Sequence, residues 1–257
     1  MEYLKWSYED AIATITIERP PANALSQGLL KELSTVLDEI EPNQDIRVIV
    51  IHGDGRFFSA GADIKEFTTL DTSKGFTNLS TTGQNLFERL ETFPKPVIAA
   101  IHGAALGGGL ELAMSCHIRL VSENAKLGLP ELSLGIIPGF GGTQRLRRYV
   151  GNSRAAEMIF TSEPISGVDA VQYGLANDAY PETELLDNAY KLAHIIAKKS
   201  PLSLKAAIEL LNYSKSKEFY EGVHKEAELF GEVFTSEDGK EGVKAFIEKR
   251  EPHFTGK

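Results

Sequence analysis

The chain has 257 residues, 42% hydrophobic and 25% charged, a composition that excludes the disordered, collagen-like and disulfide-scaffold classes. A formal charge of -9 argues against non-specific nucleic-acid binding, which needs a concentrated basic surface. The one cysteine, Cys116, rules out an internal disulfide and fits a reducing compartment such as the cytoplasm. Met1 to Trp6 lack the charged-then-apolar pattern of a signal peptide, and no apolar run approaches the roughly 18 residues of a membrane span, so neither export nor an anchor is expected.

Tyr3 to Tyr8 and Ile12 to Ile17 are short apolar stretches on either side of Glu9-Asp10, and the alternation of Ile15 and Ile17 predicts a hairpin. Ser26 can cap a helix whose apolar positions Leu29, Leu33, Val36, Leu37 and Ile40 follow three-four spacing and which ends before Pro42. The β-branched run Ile46 to Ile51 is too short for a helix and reads as a strand, followed by a turn at Gly53-Asp54-Gly55 and a loop from Phe57 to Glu66. The same order then recurs without sequence repetition. A helical stretch around Gln84 to Leu90 leads to the run Val97 to Ile101, to the glycine-rich Gly103 to Gly109, and to a helix bearing Glu111. A third passage runs through Ile118 to Val121, the loop Gly128 to Gly142, and a helix from Thr143 to Val150 stopped by Gly151. From Asp187 onward helical periodicity dominates, and the expected division is a core of residues 1–195 followed by a helical region of 196–257.

Three loop-to-helix segments carry the chemistry: Phe57 to Lys65, Gly103 to Ala113, and Leu129 to Arg145. Small residues in such segments let backbone approach a ligand, and a helix N-terminus presents unpaired N–H groups suited to developing negative charge. The glycines match neither G-x-G-x-x-G nor G-x-x-x-x-G-K-[ST], and no G-x-S-x-G elbow occurs. Glu111 lies within the apolar stretch Leu110, Leu112, Ala113, Met114, where a carboxylate needs a cavity or a partner. Glu131 follows Pro130 in a loop, where a carboxylate is ordinarily solvated or caps a helix. The histidines lack metal-ligand spacing, so no metal is expected. Arg145, Arg147 and Arg148 read as a solvated or subunit-facing basic segment, and Cys116 as structural.

Four segments in this order, 18 to 25 (ERPPANAL), 58 to 65 (FSAGADIK), 107 to 113 (GGGLELA) and 130 to 145 (PELSLGIIPGFGGTQR), resemble signatures of the enoyl-CoA hydratase/isomerase family, also called the crotonase superfamily, with similarity from about Tyr3 to Phe254. The resemblance implies an α/β fold, a right-handed crotonase-like spiral of repeated ββα units with a helical C-terminal region, assembled as a homotrimer or, as is usual, as trimers paired into a hexamer. It implies that the N–H groups of Ala62 and Gly108 form an oxyanion hole around a thioester carbonyl. Glu111 then orients and deprotonates water, Glu131 delivers a proton to the α-carbon, and Gly139 N–H helps to hold the water. Coenzyme A is expected along Ala60, Ala62, Asp63, Ile64 and Lys65, with Phe246 and Lys249 as further contacts, and as part of the substrate it leaves no separate cofactor. Retention of both glutamates favours hydration of a trans-2-enoyl-CoA. The alternatives are an isomerase, since a pair of carboxyls can also move a proton between carbons, or a non-catalytic acyl-CoA- or RNA-binding protein on the same fold. The pocket beyond the thioester is expected from roughly Phe67 to Leu86, a polar stretch rich in Thr, Ser and Gly and read as mobile.

Overall fold

The computed structural model describes residues 1–67, 71–199, 201–213 and 217–252. The far end of the expected resemblance, at Phe254, and residues 68–70 of the stretch expected to shape the pocket lie outside them. The chain opens with the hairpin β1 (Leu4–Glu9) and β2 (Ile12–Ile17), in register Glu9 to Ile12, and Asp10 and Ala11 both turn with positive φ. That is the twist two-residue hairpins favour, here taken without a glycine. Helix α1 (Gln27–Ile40) follows, and Ser26 Oγ accepts from Leu29 N at 3.1 Å as its cap. Strand β3 (Val48–Gly53) begins later than Ile46: Ile46 is buried outside the ladder, and Arg47 donates its guanidinium to the carbonyl of Ala197.

Two sheets alternate along the rest of the chain. A six-stranded sheet has the order β1-β2-β3-β4-β6-β9, with β4 (Val97–Ile101), β6 (Ile118–Ser122) and β9 (Asp178–Tyr180), and is parallel from β2 onward. A three-stranded sheet is formed by β5 (Ala104–Leu106), β7 (Lys126–Gly128) and β8 (Ile165–Ser166). The chain repeatedly steps from the large sheet to the small one and returns through a helix: β4, β5 and α4 (Gly108–Ser115), then β6, β7 and α5 (Gly142–Thr161). This is the repeated ββα organisation expected, an α/β fold. Parallel pairing requires such crossovers, which bury both sheet faces. Hence β3 is uniformly apolar rather than alternating: Ile49 and Ile51 face the main core with α1, whereas Val48 and Val50 face a second core with Leu185, Ala189 and Ala193 of α7 (Glu182–Ala197). The division expected after residue 195 falls inside α7.

In two places helix extends beyond the expected stretch. The helix expected around Gln84 to Leu90 starts earlier, at Ser73, so that the described part of the Thr/Ser/Gly stretch is mostly the first part of α3 (Ser73–Glu91), which follows the one-turn α2 (Ile64–Phe67). Thr72 caps α3 at Gly75 N, and Thr77, Thr81 and Thr82 return their hydroxyls to carbonyls one turn back, so polar side chains are used inside the helix. Its inner face, Phe76, Leu79, Leu86, Phe87 and Leu90, is buried. Gly151, with φ 76 and ψ 164, ends the first helical segment as expected, and a second segment follows directly across this break to Thr161, the two together forming α5. Beyond α6 (Gly167–Gln172) and α7, the helices α8 (Pro201–Tyr213), α9 (Lys217–Thr235) and α10 (Glu237–Glu248) complete the chain. Phe230 and Phe234 of α9 and Val243 of α10 form a third core with Phe76, Leu79 and Ile136. Among the described residues no helix is long and apolar enough to cross a membrane.

The buried face of α1 ties the first strands to α3, so Leu37→Ala should cost about 2–5 kcal/mol, seen as a lower urea midpoint. A loss below about 1 kcal/mol would show that this face collapses without consequence.

Candidate active site

The segment after β3 is laid between Ala22–Leu25 and β5. Ser59 N donates to Ala104 O at 3.1 Å and Leu106 N to Ser59 O at 3.0 Å, while Leu25 N donates to Gly61 O at 2.7 Å and Asp63 N to Leu25 O at 3.0 Å. Asn23, itself in the left-handed region, donates its amide to the carbonyls of Asp54 and Phe57 at 2.9 and 2.7 Å. Arg19 pairs with Asp63 and donates to Ala24 O. These bonds fix the path through Gly61 and Ala62 but leave the Ala62 N–H without an acceptor among the described residues.

Next to it starts α4. Its cap, Gly107, adopts φ 50 and ψ -127, and no side chain caps the first turn. The Gly108 N–H likewise has no acceptor among the described residues, as expected of a helix N-terminus. The two peptides are neighbours: a Cβ on Gly108 would lie 3.3 Å from Ala62 N and 3.2 Å from the Phe140 ring. Two adjacent unpaired donors at the positive end of a helix suit an oxygen that gains negative charge.

Both glutamates stand at this helix end. Glu111, in the first turn of α4, is 1% exposed, and its Oε1 accepts from Phe140 N at 2.8 Å and from Gly142 N at 2.7 Å. The buried carboxyl is thereby compensated by backbone donors of the loop before α5. Glu131, 9% exposed, comes from a single 3-10 turn (Pro130–Leu134) that starts at a proline and is closed by Gly135 in the left-handed region. Its Oε1 lies against Gly107, where a Cβ would come within 3.0 Å.

A cavity of about 440 Å³ joins these groups. Of the residues singled out in the sequence, Ala60, Ala62, Asp63, Ile64, Lys65, Gly108, Glu111, Glu131, Gly139 and Phe246 lie on its wall. Lys249 does not: it is exposed and ends α10 in the left-handed region, just past Phe246. The remaining wall is largely apolar, with Leu106, Leu134, Ile136, Ile137, Phe140 and Phe230. The arrangement places two carboxyls and two backbone donors around an apolar slot, the equipment for moving protons next to a polarised carbonyl. Cys116, buried behind α4 with its thiol pushed up to about 12 by burial, stays protonated. No group of three or more His, Cys, Asp and Glu that could hold a metal occurs among the described residues.

Sequence reasoning misplaced Arg145. It is not on a solvated basic face but 1% exposed, its Nε 3.2 Å from Glu91 Oε2 and its Nη1 donating to Phe140 O at 2.7 Å, while Arg148 takes the other Glu91 oxygen at 2.9 Å. The guanidinium turns inward because a buried carboxylate and a loop carbonyl both await it. A signal existed on α3: Ser80, Gln84 and Glu91 recur at helical spacing on its apolar face, visible only once the stretch is read as a helix.

A family model described as enoyl-CoA hydratase/isomerase matches residues 7–257. The chain is 57% identical over 258 residues, the full length of both, to a Bacillus subtilis (strain 168) protein named "probable enoyl-CoA hydratase". It is 43% identical to the short-chain-enoyl-CoA hydratase of Clostridium acetobutylicum, covering 94% of this chain and 93% of that protein. A crystal structure of an enoyl-CoA hydratase from Bacillus anthracis superposes with a TM-score of 0.79 at 36% identity, covering 99% of this chain and 100% of that one.

Because Phe140 N–H and Gly142 N–H depend on one carboxylate oxygen, Glu111→Ala should destabilise the fold by about 2–4 kcal/mol, whereas Glu111→Gln, which keeps an oxygen there, should stay within about 1 kcal/mol. Equal losses in a denaturant titration would mean that these bonds contribute nothing.

Proposed function

The chain belongs to the enoyl-CoA hydratase/isomerase family, and from that membership we propose that it adds water across the double bond of a trans-2-enoyl-CoA to give the 3-hydroxyacyl-CoA, the hydration step of fatty-acid β-oxidation. The observation that carries this reading is the pair of carboxyls, Glu111 and Glu131, on one apolar cavity beside the N–H groups of Ala62 and Gly108.

In the proposed reaction the thioester carbonyl sits between the N–H groups of Ala62 and Gly108. As the double-bond electron pair moves toward the α-carbon and that oxygen, each fixed donor contributes about 3 kcal/mol in the enolate-like transition state. Water, held near Glu111 and Gly139 N–H, forms its C–O bond to the β-carbon while Glu111 takes one of its protons. Glu131, starting protonated, gives its proton to the α-carbon. One water is consumed, Glu111 ends protonated and Glu131 ionised, and exchange of one proton restores the pair. Two carboxyls suffice if they start in different protonation states. No further cofactor enters this scheme.

Coenzyme A is placed along Ala60 to Ile64 and across Phe246 at the cavity mouth. In this reading the exposed Lys65 and Lys249 are the cations offered to its phosphates. A cytoplasmic homotrimer or hexamer is the expected working form, and the exposed Leu202 and Leu210 of α8 offer an apolar face for it.

Purified protein mixed with crotonyl-CoA should abolish the conjugated enone absorbance with incorporation of one oxygen from labelled water. Double-bond migration without that oxygen would replace hydration by isomerisation, and acyl-CoA binding without turnover would leave only a binding protein. Glu111→Gln and Glu131→Gln should each lower kcat by about 100-fold or more with KM little changed. Sedimentation equilibrium should give a trimer or hexamer, and a monomeric mass would remove the assembly from the proposal.

A further inference from the structure

Helix α3 carries Ser80 and Gln84 on its buried face, one turn apart, and neither side chain reaches the cavity. Both donate to one acceptor, the carbonyl of Gly139: Ser80 through its hydroxyl, and Gln84 through Nε2 at 3.0 Å, with Gln84 Nε2 also 3.2 Å from Ser80 Oγ. That carbonyl and the N–H of Phe140 are opposite ends of a single planar peptide. The Phe140 N–H is the group that donates to Glu111 Oε1 at 2.8 Å. The next carbonyl, that of Phe140, accepts from Arg145 Nη1, so the following peptide is held as well.

We propose that Ser80 and Gln84 are positioning residues for Glu111, acting through the Gly139–Phe140 peptide. They set the plane of that peptide, which aims its N–H at the carboxyl, and by donating to its oxygen they polarise the N–H and strengthen the bond it makes. A peptide freed from them could rotate, and Glu111 would lose one of the donors that stabilise its ionised form. The consequence for turnover rests on the hydratase reading above. The coupling to the Glu111 carboxyl can be read without it.

The test uses the full chain with Ser80→Ala and Gln84→Met, which leave Glu131 on the same cavity and the Arg145–Glu91 pair behind the loop in place. In each variant kcat on crotonyl-CoA should fall about tenfold with KM within about twofold. The acidic limb of the kcat/KM profile should move to higher pH, because a carboxylate that loses a hydrogen bond is harder to ionise. Independently of turnover, the Phe140 amide resonance should titrate with Glu111, and its midpoint should rise in both variants. Unchanged kcat, or a fall in kcat with an unmoved pH limb and an unmoved Phe140 midpoint, would reduce Ser80 and Gln84 to packing residues and overturn the proposal. Should the unsubstituted protein hydrate no enoyl-CoA, the hydratase reading fails by itself, and the Phe140 midpoint in the two variants still decides whether the positioning is real.

Discussion

A carboxyl within an apolar helix is tolerable only where backbone donors come to meet it, and here the loop from Pro138 to Gly142 is arranged around that demand. Phe140 and Gly142 turn their N–H groups onto Glu111. The same loop is then held from behind by Ser80, Gln84 and Arg145, and Arg145 in turn by Glu91. Glycine is needed at 142 because a Cβ would lie 2.8 Å from Glu111 Oε1. The buried charge, the inward arginine and the polar residues of α3 are thus parts of one compensation scheme, in which each polar group is buried because another requires it.

The opposite side of the cavity follows from a different constraint, close approach of backbone. Gly61, Gly107 and Gly108 stand where the Ala60–Ala62 segment crosses the start of α4: a Cβ on Gly61 would crowd Leu106 O and approach Gly108 N, one on Gly108 would crowd Ala62 N and the Phe140 ring, and one on Gly107 would meet the Glu131 carboxyl. Asn23 serves this crossing from a distance by holding the carbonyls of Asp54 and Phe57, which gives the polar centre of the 18-to-25 segment a structural task.

Much of this was legible in the sequence because the signals are local. The Ser26 cap, the period of α1, the short β-branched run of β3 and the glycines before α4 each report on their own few residues. What escaped depends on distant partners. The Thr/Ser/Gly composition of α3 argues against a helix until its hydroxyls are seen to bond within it and its other face is buried by α9. Arg145 is indistinguishable from its neighbours Arg147 and Arg148 until Glu91, far away in the chain, is brought beside it. Gly151 ends a helix as its signature says, but the second helical segment that follows directly to Thr161 was not read from the sequence. The four ordered segments located the cavity wall, and the hydrogen-bond supports behind it were beyond their reach.

The C-terminal helices supply Phe230 and Phe246 to a cavity whose carboxyls and donors all come from earlier in the chain. Phe230 presses on Gly139, where a Cβ would lie 2.8 Å from its ring, and α10 approaches Leu134 just as closely at Gly242. The two carboxyls and the unpaired donors are therefore written in a different stretch of sequence from these two rings, and the cavity wall closes only on folding. Changes in the last helices can reshape the apolar wall of this cavity while its carboxyls and backbone donors keep their places, so the two can vary independently in sequence.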